Sequence, residues 1–325
     1  MSSASEFWVG MGIAAKLMTM SSAERRAFEA LELRIRTILP EEYQDSYEQV
    51  APVSMGSAAL KYGQDGKVAW DDVWDSFCDL AMAGGPPHKG RLLTAATRQQ
   101  IEAEPERYQW VVEEICRGIE LVTGLRAAAS TILGWICIEC TKATSGWLAR
   151  AITMENVSAR CDGTKLYLPA GPSYRVEKEI KNVVSAVAKT CHYWLDHVGA
   201  PQQRKVGDLF ATVAAESPLI QPAVAGFDFD AESDQLLRAK IADRIRKATS
   251  LESWGPPCDG WLGIVCPSVK SAIWMMRAMA VSNVFARRED TVLLVPVNPV
   301  SDPEGDIVVK VASRVHRFAR IRHVL

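Results

Sequence analysis

Gly84 to Gly90, read Gly-Gly-Pro-Pro-His-Lys-Gly, is the stretch of this chain best equipped to hold an anion. Its glycines permit positive φ and a close approach of backbone to ligand, its prolines stiffen the chain leading to His88, and His88 and Lys89 supply donors. The same residues also make an ordinary helix C-cap followed by a rigid turn whose His and Lys face water. The loop lacks the Gly-Lys-Ser/Thr ending of a phosphate loop, which argues against a nucleoside triphosphate.

Further candidates lie downstream. Lys178, Asn182, Ser185, Lys189 and His192 recur at steps of four and three along one helix. They form a polar stripe opposite Ile180, Val184, Val187 and Cys191. Either the stripe faces water, or Lys189 and His192 line a cleft beside the Gly84 to Gly90 loop. Arg150 sits three residues after Trp147 on another helix and so shares its face. It suits an internal interface or an anion near it. Cys140 ends a strand just before a helix, where the helix N-terminus can lower a thiol pKa and make it nucleophilic, although small buried cysteines are the commoner case. The candidate catalytic residues are therefore His88, His192 and Cys140. The candidate substrate-binding residues are Gly84, Gly85, Lys89, Arg150 and Lys189.

No metal and no cofactor are expected. Cys137 and Cys140 fall an odd number of residues apart on a strand and point to opposite faces. His192 and His197 are five apart, where a spacing of four would bring two rings together on an α-helix. A serine nucleophile elbow, a dinucleotide glycine fingerprint and a zinc-protease helix are all missing.

The elements that must position these residues are written twice. Gly134 to Pro169 returns as Gly260 to Pro296, with Gly-Trp, a strand ending in Cys, Trp-x-x-Arg-Ala, Asn-Val-x-Ala-Arg, Thr-x-Leu and Pro in common. One extra residue between Cys266 and Trp274 accounts for the drift in spacing. The preceding helices match as well, Gln109, Ile115, Ile119, Thr123 and Leu125 answering Gln235, Ile241, Ile245, Thr249 and Leu251. Each unit reads helix, strand, helix, strand, strand, helix. The pattern predicts an α/β (α+β) protein, with two tandem pseudo-symmetric units packed about a local two-fold axis as a homodimer would be. The expected organisation is an N-terminal helical section over 1–104, a first unit over 105–198, a linker over 199–230 and a second unit over 231–325. Asp162-Gly163 suits a tight hairpin turn, whereas Glu289-Asp290 in the second unit implies a different one. Before the units, Ser21 and Glu24 form a capping box for a helix bearing Phe28, Leu31, Ile35 and Ile38. Asp71 or Asp72 opens another with Val73, Trp74, Phe77 and Leu80 on one face.

A chain of 325 residues, 48% of them apolar, buries a substantial core. Its net charge of −2 offers no general attraction to a phosphate backbone, so no nucleic acid is expected. The apolar stretch from Phe7 to Met20 is too short to span a bilayer and carries Lys16, so no membrane association is expected and residues 1–20 read as an arm or an interface helix. Eight cysteines scattered through core elements point to reduced thiols and a cytoplasmic setting. The leading expectation is an enzyme acting on a small anionic substrate between the Gly84 to Gly90 loop and the first unit. The alternative is a non-catalytic interaction or regulatory module on a duplicated scaffold, and either is compatible with a homo-oligomer.

Overall fold

The structure, a computed structural model, describes residues 20–47, 59–72, 79–256 and 258–325. The arm expected before Met20, and Val73, Trp74 and Phe77 of the second expected helix, lie outside these residues. The described chain is α+β: helices packed with two four-stranded antiparallel sheets.

Local sequence chemistry sets the helix starts. Helix α1, Ser22–Ile38, opens on the expected capping box, and Phe28, Leu31, Ile35 and Ile38 are its buried face. A short helix, α2, covers Glu41–Gln44. Trp70–Asp72 and Ala81–Ala83 are single 3₁₀ turns, the second ending on Gly84 at φ 106°. Helix α3, Arg98–Ala103, starts on a second capping box, Thr97 with Gln100. Pro105 begins α4, Pro105–Thr123, where its missing N–H costs nothing, and Gly124 closes it in the left-handed region.

The first sheet has strands β1 (Ala127–Ala129), β2 (Trp135–Glu139), β3 (Arg160–Asp162) and β4 (Lys165–Pro169) in the order β1-β2-β4-β3. Helix α5, Lys142–Met154, connects β2 to β3. A helical run comes next, with π-helical turns at Val176–Ile180 and Tyr193–His197 flanking α6, Lys181–His192. Part of the expected linker is itself helical, α7 over Ala200–Glu216. Val206, Leu209, Phe210 and Val213 recur at helical spacing along it, a stripe that the expected linker bounds passed over.

After α8, Ala231–Thr249, the second sheet repeats the order with β5 (Ser253–Trp254), β6 (Trp261–Val265), β7 (Arg287–Glu289) and β8 (Val292–Pro296). Helix α9, Val269–Ala280, joins β6 to β7, and α10, Asp306–Ile321, closes the chain. Trp135 faces Pro169 across the ladder and Trp261 faces Pro296. Cys161 pairs with Leu166 and Arg288 with Leu293. The hairpin turns also agree, against expectation: Gly163 has φ 59° and Asp290 φ 51°. Aspartate is one of the few residues whose short polar side chain tolerates this region, so no change of turn is needed. Each sheet has one more strand than expected, because Ala127–Ala129 and Ser253–Trp254 carry little side-chain signal and are recruited by the free edges of β2 and β6.

Each half also gathers a preceding segment. Leu93 makes an isolated parallel bridge with Val157, and Ile220 makes one with Val284. The helices cross over: α7 packs on α5, while α1 packs on α9. One connected apolar core runs from Phe28 to Val324 through both sheets.

Asn156 and Asn283 close α5 and α9 at φ 61° and 62°, and each receives a guanidinium from the other half. Arg150 donates to Asn283 Oδ1 at 2.9 Å and Arg287 to Asn156 Oδ1 at 3.0 Å. Arg277, which stands where Arg150 does, donates instead to the carbonyls of Met82 and Tyr47 in the N-terminal section. Replacing Asn283 therefore separates two effects. Asn283→Ala loses both the tolerance of positive φ and the acceptor for buried Arg150, and should lower unfolding free energy in urea by about 3 kcal/mol. Asn283→Gly relieves the backbone and should recover about 1 kcal/mol of that loss.

Candidate functional site

The Gly84 to Gly90 loop is built around one buried carboxylate. Glu155 directly follows α5 and is fully enclosed. Its Oε1 accepts the Ala81 backbone N–H at 2.9 Å, and its Oε2 accepts the His88 backbone N–H at 2.8 Å. The Lys189 ammonium lies 2.9 Å from Oε2, and the exposures of the two side chains are 1% and 0%. The main chain continues the attachment, with Lys89 N–H donating to the Glu155 carbonyl and Leu93 N–H to that of Asn156.

The loop glycines serve this packing. Gly84 takes a left-handed conformation to end the 3₁₀ turn, and a Cβ on Gly85 would collide with the Asp79 backbone carbonyl. The close approach expected toward a ligand is an approach to the chain itself. Asn182 from the polar stripe hydrogen-bonds the His88 side chain, so His88, Lys189 and Asn182 do converge. They converge as a closed network. Burial pushes the His88 imidazole down to about 4, with Lys189 and Lys89 adding to the shift and Glu155 opposing it.

The other expected site residues lie apart from this network. Arg150 is buried, bonds the carbonyls of Gly146 and Ala280 as well as Asn283, and stacks 4.2 Å from the Phe210 ring. Burial lowers its pKa to about 10. Its donors serve the contact between the halves and are not presented to a substrate. Cys140 is no activated thiolate: burial, with Cys161 and Cys137 nearby, raises its pKa to about 11, and its Sγ lies 3.6 Å from the Thr164 carbonyl. Lys189 spends its charge on Glu155.

The loop does border a cleft of about 350 Å³, but toward the second half instead of the first. Gly84, Pro86, Pro87, Lys89 and Gly90 form one side, and Val269, Arg288, Glu289 and Asp290 the other. Asn156 ties the two sides together, its Nδ2 donating to the Lys89 carbonyl at 2.7 Å and the Arg288 carbonyl at 3.0 Å. Arg288 is 5% exposed and donates to the Gly85 carbonyl at 2.7 Å and the Asp290 carbonyl at 3.4 Å. Burial lowers its pKa. Its Nε has no hydrogen-bond partner among the described residues. Arg287 pairs with Glu289 at 2.7 Å. Sequence reasoning takes Arg287 as the end of a repeated motif and Glu289-Asp290 as a hairpin turn, and passes over Arg288 between them.

His192 lies in a different cluster. Its Nδ1 is 2.7 Å from Asp196 Oδ2, and its Nε2 is 3.2 Å from the Nε2 of His197. His197 Nδ1 in turn meets Glu42 Oε2 at 2.6 Å. Tyr193 packs on both rings, and its hydroxyl is 3.1 Å from that of Tyr43, which donates to Asp79. The spacing of five, which an α-helix would splay by about 140°, is brought into register by the π-helical turn Tyr193–His197. Val198 N–H donates to the Tyr193 carbonyl, the five-residue bond of such a turn. No sequence signal marked that turn.

Comparison with known proteins finds no matching family model, no matching curated protein and no matching solved structure.

Lys189→Met leaves the Glu155 carboxylate buried without its cation and should cost about 3–5 kcal/mol in urea unfolding. Adding Glu155→Gln removes the orphaned charge and should recover part of that loss. His88 gives a pH signature. Its folded pKa lies below its unfolded one, so protons bind the unfolded chain more tightly. The associated stability is complete above the unfolded value of about 6.5 and is lost as pH falls toward 4. Between pH 7 and 4.5 wild type should lose about 2–3 kcal/mol more than His88→Asn, measured by urea unfolding at both pH values.

Proposed function

We propose that this protein binds a small anionic molecule in the cleft between the Gly84 to Gly90 loop and the β7–β8 turn. The observation that carries the reading is that two basic residues, Lys89 and Arg288, line opposite walls of one cleft. Arg287 offsets Glu289, so Lys89 and Arg288 stand against Asp290 alone among the charged lining groups. The unmatched Nε donor of Arg288 adds to the same demand for an acceptor. A volume of about 350 Å³ falls at the small end of ligand sites and suits a compact carboxylate or phosphate.

On this reading the halves are near-copies that have diverged where the ligand sits. The position of Arg288 in β7 is that of Cys161 in β3, whose backbone N–H and carbonyl are both bonded by the Gln221 side chain. A glutamine side chain covers the backbone at one of these positions, and a cation stands at the other. The reading is one of binding, since His88 is not among the cleft's lining residues and supplies it with no proton-transfer group.

Thermal unfolding in the presence of inorganic phosphate, sulfate or malonate tests the proposal. Binding to the folded state at a hundred times Kd adds about 2.7 kcal/mol and raises Tm. Lys89→Gln, which removes one cation from a half-buried position, should weaken the effective anion about tenfold or more. If none of the three anions moves the wild-type midpoint, the reading falls.

A further inference from the structure

We propose that the groove between α4 and the hairpin over residues 61–69 binds a neutral carbohydrate. Helix α4 buries Val111, Val112, Ile115 and Ile119, and the face beside that stripe carries Trp110, Glu113, Glu114 and Arg117, spaced to stand together on successive turns. Tyr62 and Lys67 come from the hairpin. It is closed by a bridge between Tyr62 and Val68 and by Gly63 N–H donating to the Lys67 carbonyl at 2.8 Å. These six residues line one groove of about 400 Å³, within the range of small-molecule sites.

Part of the lining is fixed in advance. Glu114 Oε1 accepts the Trp70 indole N–H at 2.8 Å, and the Arg117 guanidinium forks onto both Glu114 oxygens at 2.6 and 2.9 Å while donating to the Val68 carbonyl at 2.9 Å. Hairpin and helix are thereby pinned together. Trp110 is held as well, with the Arg107 guanidinium stacked 4.2 Å from its ring and itself bonded to the Tyr174 carbonyl. Two large aromatic side chains stay in contact with water at this groove, Tyr62 being 55% and Trp110 40% exposed.

The chemistry of the lining selects the ligand. Lys67 and Arg117 only donate, Glu113 and Glu114 only accept, and their charges cancel. An ion of either sign would meet a like charge there. A hydroxyl, donor and acceptor at once, is served by both kinds of group. Gln109 donates to Glu113 Oε1 at 2.8 Å, which leaves Glu113 Oε2 and the Lys67 ammonium without a hydrogen-bond partner among the described residues. The aromatic rings supply the other half of the recognition, since their negative π faces take the C–H groups of a sugar ring. Four charged groups in six count against the apolar core of a protein interface, from which such residues are depleted. This inference stands independently of the anion cleft, which shares no residue with it.

Calorimetric titration of the full-length protein with maltose, cellobiose and chitobiose tests the proposal. At least one of these neutral disaccharides should bind saturably, at a single site per chain. Trp110→Ala and Tyr62→Ala should each weaken that binding about tenfold or more, and Trp110→Phe should keep most of it. Lys89→Gln, in the anion cleft, should leave it unchanged. Raising sodium chloride from about 0.05 to about 0.5 M should move Kd by no more than about twofold, because the ligand carries no charge, a readout that needs no variant. Absence of saturable binding by all three sugars, binding undiminished in both alanine variants, or a Kd that climbs steeply with salt would each overturn the proposal. So would a fall in sedimenting mass on Trp110→Ala, which would assign the groove to a second copy of the chain.

Discussion

Enclosing a carboxylate costs several kcal/mol unless every lone pair finds a donor, and Glu155 is fully enclosed. Its oxygens meet two backbone N–H groups and the Lys189 ammonium, and those partners come from two separate parts of the chain. The N-terminal section is thereby attached to the end of α5, and α6 is attached to both. Most other features near the loop stem from this constraint. Gly84 and Gly85 let the chain curl around the carboxylate, and His88 is held neutral beside the ammonium.

Residues at matching sequence positions make different contacts. Arg150 and Arg277 occupy matching places on α5 and α9, yet the first reaches across to Asn283 while the second turns to Met82 and Tyr47. The N-terminal section supplies carbonyls on one side of the molecule that the α7 side does not. A guanidinium buried in this way satisfies whichever acceptors lie within reach, so nearly equal sequences make unequal contacts.

Much of the fold was legible because it rests on local chemistry. Capping boxes at Ser21 and Thr97, the positive-φ residues Gly124, Asn156 and Asn283, and the repeated Gly-Trp strands all act over a few residues. The trialanine strand was not legible, since tertiary pairing creates it, whereas α7 carries a legible stripe, Val206, Leu209, Phe210 and Val213, that the prolines and glycines around it obscured. The site was harder. The polar stripe of α6 was visible, and Lys189 and Asn182 do reach the loop. That Lys189 would be consumed by Glu155 depends on a contact between helices, which no local pattern records. The π turn that unites His192 with His197 inserts a single residue's worth of rotation, and an α-helical reading of the same spacing separates them.

The exchange of covering helices, α1 onto α9 and α7 onto α5, bears on how the chain becomes compact. Each sheet with its connecting helix borrows part of its apolar cover from a segment that precedes the other sheet or the chain's first half. Severing the polypeptide after α6 would leave α5 without α7, baring Gly146 and the Arg150 guanidinium, which pack against Phe210. Two fragments made that way would meet as complementary surfaces, and reassembly, not independent folding, would be their route back to order.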